Sequence, residues 1–138
     1  MCLFRLFKAA KLLLKEAEGI LEGDIALSGS ELEDRVAEAF RQMGYRVWIR
    51  RNRCDILAVR GSLAYLVECK NYELSRKKQV LAVRQLNRNY TRALETLLRE
   101  RRWVDRIVRV LVAKSFAYQA RGILQFTPEE FLKHIKRC

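Results

Sequence analysis

Cys54-Asp55-Ile56-Leu57-Ala58-Val59-Arg60, then Gly61-Ser62, then Leu63-Ala64-Tyr65-Leu66-Val67-Glu68-Cys69-Lys70 reads as two strands joined by a short turn, and it carries its own register. Both runs are rich in strand-forming residues, and glycine at the first central position suits a two-residue type II′ turn. Folding about that turn sets Arg60 against Leu63, Val59 against Ala64, Leu57 against Leu66 and Asp55 against Glu68. Side chains alternate along a strand, so Asp55, Glu68 and Lys70 share one side of the sheet. Like charges directly opposite each other are destabilising, so the facing carboxylates need a compensating charge. Carboxylate oxygens from one or two residues, completed by water, are what Mg²⁺ accepts, and a divalent cation is the natural candidate. The rival reading is an ordinary surface ion cluster at the end of a hairpin. Against it, Ile56 to Val59 and Tyr65 to Val67 are apolar on both faces, as in strands covered on each side. A charged triad ending such strands is costly unless it has a task.

The chain of 138 residues is long enough for one domain with a real core. Its 28 Lys and Arg against 16 Asp and Glu give a formal net charge of +12. That imbalance suggests a polyanionic partner bound through phosphate neutralisation. The basic residues are dispersed through the chain rather than gathered in one segment, which favours nucleic acid over a membrane surface. Cysteines stand at 2, 54, 69 and 138 without a Cys-x-x-Cys pair, and His134 is the single histidine. A zinc site is therefore not expected. The hairpin register also sets Cys54 opposite Cys69, on the face away from the carboxylates. Small buried thiols packed beneath the site are expected there in preference to a disulfide.

Residues 1 to 22 alternate Phe4, Leu6, Phe7, Leu12, Leu13 and Leu14 with Arg5, Lys8, Lys11 and Lys15 and read as a basic amphipathic helix. Its length and charge spacing exclude membrane insertion, and no small-residue cleavage site follows it. It is free to dock on the domain, pair with a second copy, lie on a membrane or touch DNA. The domain itself is expected over residues 23 to 138. Ser30 with Glu33 three residues later forms a capping-box pattern, Leu32, Val36, Ala39, Phe40 and Met43 make one stripe, and Gly44 ends that helix. Tyr45 to Ile49 should be the first strand, and Arg50 to Arg53 a basic turn. After the hairpin, a helix is expected from about Gln79 to Glu100, with Val80, Val83, Leu86, Tyr90, Leu94 and Leu97 as its buried stripe. A strand follows at Ile107 to Ala113, a short one at Ile123 to Phe126, and a last helix capped by Thr127-Pro128. These elements imply an α/β domain: a mixed sheet with helices on both faces.

With the motif placed on those elements, the chain resembles the PD-(D/E)XK nuclease superfamily and its restriction-endonuclease-like fold. The resemblance is closest to the Mrr-type restriction endonucleases and the archaeal Holliday junction resolvases, over roughly residues 28 to 131. It rests on Gly29-Ser30-Glu31-Leu32-Glu33 as the Gly-x-x-x-Glu helix signature, on Asp55 in Cys54-Asp55-Ile56-Leu57, and on Glu68-Cys69-Lys70 as the Glu-x-Lys pair. Val112-Ala113-Lys114-Ser115-Phe116-Ala117 followed by Ala120 looks like the strand and loop that close an Mrr-type domain. Two features depart from the pattern. Cys54 stands where many members have proline, and no separate target-recognition domain is expected within these 138 residues. Gln85 and Tyr90 resemble a Gln and Tyr helix motif of RecB-type nucleases, with spacing different by one residue.

The resemblance implies a metal-dependent DNA endonuclease using Mg²⁺ or Mn²⁺ and no small-molecule cofactor. Asp55, Glu68 and the backbone carbonyl of Cys69 would hold the metal, Lys70 would orient or deprotonate the attacking water, and Glu33 would complete the shell, with Glu31 as the alternative. Arg50, Arg51, Arg53, Arg76, Lys77 and Lys78 flank the site in sequence as candidate contacts to the DNA backbone, with Asn71 and Tyr72 as phosphate neighbours. Restriction-type cutting, junction resolution and DNA binding without turnover all remain open, as does a scaffold role for the N-terminal helix. Symmetric cleavage calls for a homodimer. A cytoplasmic, nucleoid-associated location is expected.

Overall fold

The computed structural model describes residues 29–137. The helix expected over residues 1 to 22 lies outside them.

The first described helix, α1 (Gly29–Gln42), buries Leu32, Val36, Ala37 and Phe40 along one stripe. Gly44, at φ +86°, ends it: its N–H donates to the Arg41 carbonyl at 3.0 Å, and the Tyr45 N–H donates to the Phe40 carbonyl at 3.0 Å. That pair of bonds around a left-handed residue is a Schellman cap, and the Phe40 and Tyr45 rings close it at a centroid distance of 5.0 Å. Because α1 already begins at Gly29, Ser30 sits inside its first turn rather than at the cap position expected for it.

Strands β1 (Arg46–Arg50), β2 (Asp55–Arg60) and β3 (Leu63–Cys69) form an antiparallel meander. The β2–β3 register is the expected one, from Arg60 against Leu63 to Asp55 against Glu68. Gly61 at φ +60° makes the turn. Strand β4 (Arg106–Val112) joins β3 in parallel, and β5 (Leu124–Phe126) joins β4, so the five-stranded sheet runs in sequence order. A longer helix, α2 (Arg76–Arg99), connects β3 to β4, and α3 (Pro128–Arg137) ends the described chain. Thr127 caps α3: its Oγ1 donates to the Glu130 carboxylate at 2.9 Å and accepts from the Glu130 N–H at 3.4 Å.

Each face of the sheet has its own core. Ile56, Ala58, Tyr65 and Val67 pack against α1 and α3 through Phe40 and Phe131, while Leu57, Val59, Ala64 and Leu66 pack against α2 through Leu86, Ala93 and Leu97. The double covering explains why the two hairpin strands are apolar at nearly every position. Among the described residues no helix is long and apolar enough to cross a membrane.

Helix α2 departs from its expected form in two ways. It starts three residues earlier, at Arg76, because Ser75 caps it by accepting from the Lys78 N–H at 3.3 Å. Its buried face is also rotated: Gln79, Ala82, Leu86, Asn89, Ala93, Thr96 and Leu97 point inward, while Leu94 is 39% exposed. Three of those inward residues are polar, and each has a partner on a distant loop or strand, as buried polar groups require.

Candidate active site

Three neighbouring strands bring the charged groups together. Asp55 opens β2 and stands between Arg50 of β1 and Glu68 of β3. The chain reaches it through a 3-10 turn at Arg51–Arg53 and a left-handed Cys54, at φ 56°. That backbone twist takes Cys54 out of the ladder, so the pairing with Cys69 expected from the hairpin does not form. Cys54 is half-buried with its thiol 3.7 Å from the Arg51 carbonyl, whereas Cys69 is buried in the α1 side of the core, and both are free thiols. Burial pushes the Cys69 thiol well above its usual range.

Both facing carboxylates are fully buried, and each has one cation beside it. Arg50 grips Asp55 with two hydrogen bonds, Nε to Oδ1 at 3.0 Å and Nη2 to Oδ2. Its remaining Nη1 donates to Thr96 Oγ1 of α2 at 3.4 Å. Burial raises the Asp55 carboxyl, with Arg50 opposing it. Lys70 Nζ lies 3.1 Å from Glu68 Oε1 as an ion pair outside hydrogen-bond geometry, so both Glu68 oxygens are buried without a hydrogen-bond partner. Burial raises Glu68 to about 8, the Lys70 charge only partly offsetting it. For Lys70 itself, burial pulls its affinity for the proton down, but Glu68 outweighs that and the net shift is upward. Lys70 Nζ also donates to Gln85 Oε1 at 3.2 Å.

Glu33 approaches from α1. It is buried, its carboxylate is 3.6 Å from Arg51, and it is raised by burial while feeling the charges of both Asp55 and Lys70. Arg51 is exposed and also binds Asp34 at 2.7 Å. The Arg53 carbonyl accepts from Gln85 Nε2 at 3.1 Å and Asn89 Nδ2 at 2.9 Å, fixing the turn that leads into Asp55. Beyond Lys70 the chain stays tied to the extension of β4: the Tyr72 carbonyl accepts from the Lys114 N–H at 3.1 Å, and Glu73 bridges to Ser115. Asn71 is half-buried there and Tyr72 is 42% exposed, with Lys78 Nζ 4.9 Å from its ring. Arg76 lies over the Tyr118 ring at 5.5 Å, and Lys77 is exposed on the first turn of α2.

The residues absent from the sequence reading are Asn89 and Thr96, which hold Arg53 and Arg50 from α2. Gln85 carried a faint signal, one residue out of register with a related helix motif. It links Lys70 to the turn before Asp55, which no spacing rule within α2 could show.

Among the described residues no group of three or more His, Cys, Asp or Glu side chains is arranged to hold a metal ion. What the site does offer is a pair of hard carboxylates, Asp55 and Glu68, facing each other. Two buried Glu68 oxygens without a hydrogen-bond partner, facing Asp55, fit an Mg²⁺ ion that keeps most of its waters. The ion would have to share Asp55 with Arg50 or displace it.

A family model described as restriction endonuclease, of the Mrr catalytic type, matches residues 25–121, a span that contains Glu33, Asp55, Glu68 and Lys70. No curated protein matches the chain. The matched span covers well over half of the sequence and ends in the loop after β4. Together with the mixed sheet, its two helical layers and the carboxylates at the strand ends, it shows a restriction-endonuclease-like fold, and the chain belongs to the Mrr-type restriction endonuclease family.

Proposed function

We propose that this protein is a metal-dependent DNA endonuclease that hydrolyses phosphodiester bonds. The observation that carries the reading is Glu68, fully buried opposite Asp55 with neither oxygen hydrogen-bonded and Lys70 3.1 Å away. A buried carboxylate left in this state costs stability, and a nuclease site gives it a task. Asp55, Glu68 and the Cys69 carbonyl are the groups that would hold a divalent cation. Bound there, such a cation polarises the scissile phosphate and lowers the pKa of its water.

The chain's own residues supply the rest. Lys70, held beside Glu68 and by Gln85, would orient the attacking water and offset charge on the phosphate. Gln85 holds Lys70 in place and ties it to the Arg51–Arg53 turn. Glu33, also raised by burial and feeling the charges of Asp55 and Lys70, is the candidate to complete the shell or to accept a proton. Of the flanking cations, Arg50 and Arg51 are engaged with carboxylates. That leaves Arg53, Arg76, Lys77 and Lys78 as the more available contacts to the DNA backbone, with Asn71 and Tyr72 beside them. Cutting both strands of a duplex or a junction symmetrically would take two copies.

The test is cleavage of labelled duplex, single-stranded and four-way-junction DNA with Mg²⁺, Mn²⁺ or EDTA, for the wild type, Asp55→Ala and Lys70→Ala. Metal-dependent cutting lost in both variants is the expected result. Salt-sensitive binding without cutting under either metal would overturn the enzyme and favour a DNA-binding relative, a reading that the grip of Arg50 on Asp55 also supports.

A further inference from the structure

Strand β5 has only three residues and pairs with Val110 to Val112, leaving the first half of β4 without a neighbour on that side. Against this open edge lies a cavity of about 680 Å³, bounded by α2 and the loop before β5. Three arginines line it, Arg106 and Arg109 from β4 and Arg121 from the loop, and none of the lining residues is acidic. Among the described residues no ion pair neutralises any of the three.

Charged residues on an open edge are commonly a guard against strand pairing. That role needs only side chains projecting into water, and it accounts for Arg106 and Arg121, which are exposed. Arg109 is different. It is half-buried, Nη1 donates to Asn87 Oδ1, and its guanidinium lies 5.8 Å from the centre of the Tyr90 ring. Gly122, at φ +74°, leaves the space it occupies: a Cβ there would stand 3.0 Å from Nη2. Neutral groups thus hold a full positive charge at the cavity wall. A guanidinium presents donors in a planar fork matched to phosphate oxygens.

The cavity is separate from the carboxylates. On α2, Gln85, Asn89 and Thr96 point toward the turn and strand end that hold Asp55, whereas Asn87 and Tyr90 line the opposite flank. We propose that this cavity binds a single-stranded polynucleotide segment, with its phosphates on Arg106, Arg109 and Arg121 and its bases against Tyr90 and Ile107. The volume is that of a small-ligand site and has no room for a duplex. A basic groove with an aromatic wall is the usual combination for an unpaired strand. The choice of a polynucleotide over another polyanion rests on the nuclease reading.

The experiment is fluorescence anisotropy of a labelled single-stranded oligonucleotide with the full chain in EDTA, wild type against the double variant Arg106→Gln/Arg121→Gln. Both substituted side chains are exposed, and equal melting temperatures will show that the fold is kept. The expected result is about tenfold or more weaker binding and a log K against log salt slope shallower by about 1.4, two phosphate contacts at roughly 0.7 each. Hydrogen exchange over 119–124 should also slow when the oligonucleotide is added. Unchanged affinity and slope would overturn the proposal. So would a loss confined to a parallel titration with a nucleoside monophosphate, which would make the cavity a small-molecule site. Because binding is read without metal, a failure of the wild type to cut DNA would sink the nuclease reading and leave this result standing.

Discussion

Glu68 is the residue whose environment departs furthest from what its chemistry prefers. Its proton affinity rises from an ordinary 4.5 in the unfolded chain to about 8 in the fold, chiefly through burial. Between those values the folded state holds a proton that the unfolded state has released, so stability falls as pH rises from about 4.5 to 8 and levels off above. Asp55 and Glu33 shift in the same direction and add to the slope. In EDTA the melting temperature should therefore drop between pH 5 and pH 8, and Glu68→Gln should flatten the drop; a rise over that interval would contradict the burial argument. A cation competing with the same proton should raise the melting temperature more at pH 8 than at pH 5. Arg50 makes a second case at this scale. It is the partner of a fully buried Asp55, and removing one member of a buried pair costs about 3–5 kcal/mol. Arg50→Gln should destabilise the metal-free protein by that order and at the same time tighten Mg²⁺ binding, because Asp55 is released. Calorimetric titration of the variant with Mg²⁺ checks this, and weaker binding would show that Arg50 supports the site instead of competing for it.

At the scale of elements, the hairpin was legible to the residue from Asp55 to Glu68, though not at Cys54, and α2 was not, for a physical reason. A two-residue turn fixes the register of everything paired across it, which is why Asp55 and Glu68 fell opposite each other from the sequence alone. The buried face of α2 is set by partners far away in the chain. Gln79 accepts from the Ala117 and Tyr118 N–H groups at 2.7 and 3.2 Å and donates to the Tyr118 carbonyl at 2.7 Å, and Asn89 and Thr96 likewise serve Arg53 and Arg50. Reading only apolar periodicity rotates the helix toward Val80, Val83 and Leu94. Gln79→Leu keeps the volume and removes the bonds that Gln79 makes. It should cost about 1–3 kcal/mol, since the Ala117 and Tyr118 N–H groups lose their acceptor while the Tyr118 carbonyl keeps Gln125, with a matching fall in the denaturant midpoint. The other end of α2 hides a stop signal of the same kind. Arg101 takes the left-handed position, φ 52°, of a Schellman cap in which the Arg102 N–H donates to the Leu97 carbonyl at 2.9 Å. No glycine announces that end, and Arg101→Gly should stabilise the protein by about 0.5–1 kcal/mol by relieving the left-handed strain. A destabilised variant would show that the Arg101 side chain outweighs it.

On the scale of the whole molecule, a net charge of +12 does not say where a nucleic acid would lie, because charge on paper and charge available to phosphates differ. Six basic residues near the site were legible as candidates, but only the fold shows that Arg50 and Arg51 are spent on Asp55, Asp34 and Glu33. Stacking over Tyr118 and Tyr72 leaves the charges of Arg76 and Lys78 in place. Neutralising one duplex phosphate contributes about 0.9 to the slope of log K against log salt. With Arg53, Arg76, Lys77 and Lys78 available, duplex binding in EDTA should show a slope of about −3.6, against about −5.4 if all six served. Arg76→Gln/Lys77→Gln/Lys78→Gln should remove about 2.7 of it, leaving a slope near −1, while Arg51→Gln should leave the slope nearly as it is. A steep residual slope in the triple variant would place the duplex on another basic face of the domain and detach these residues from the proposed cleavage site.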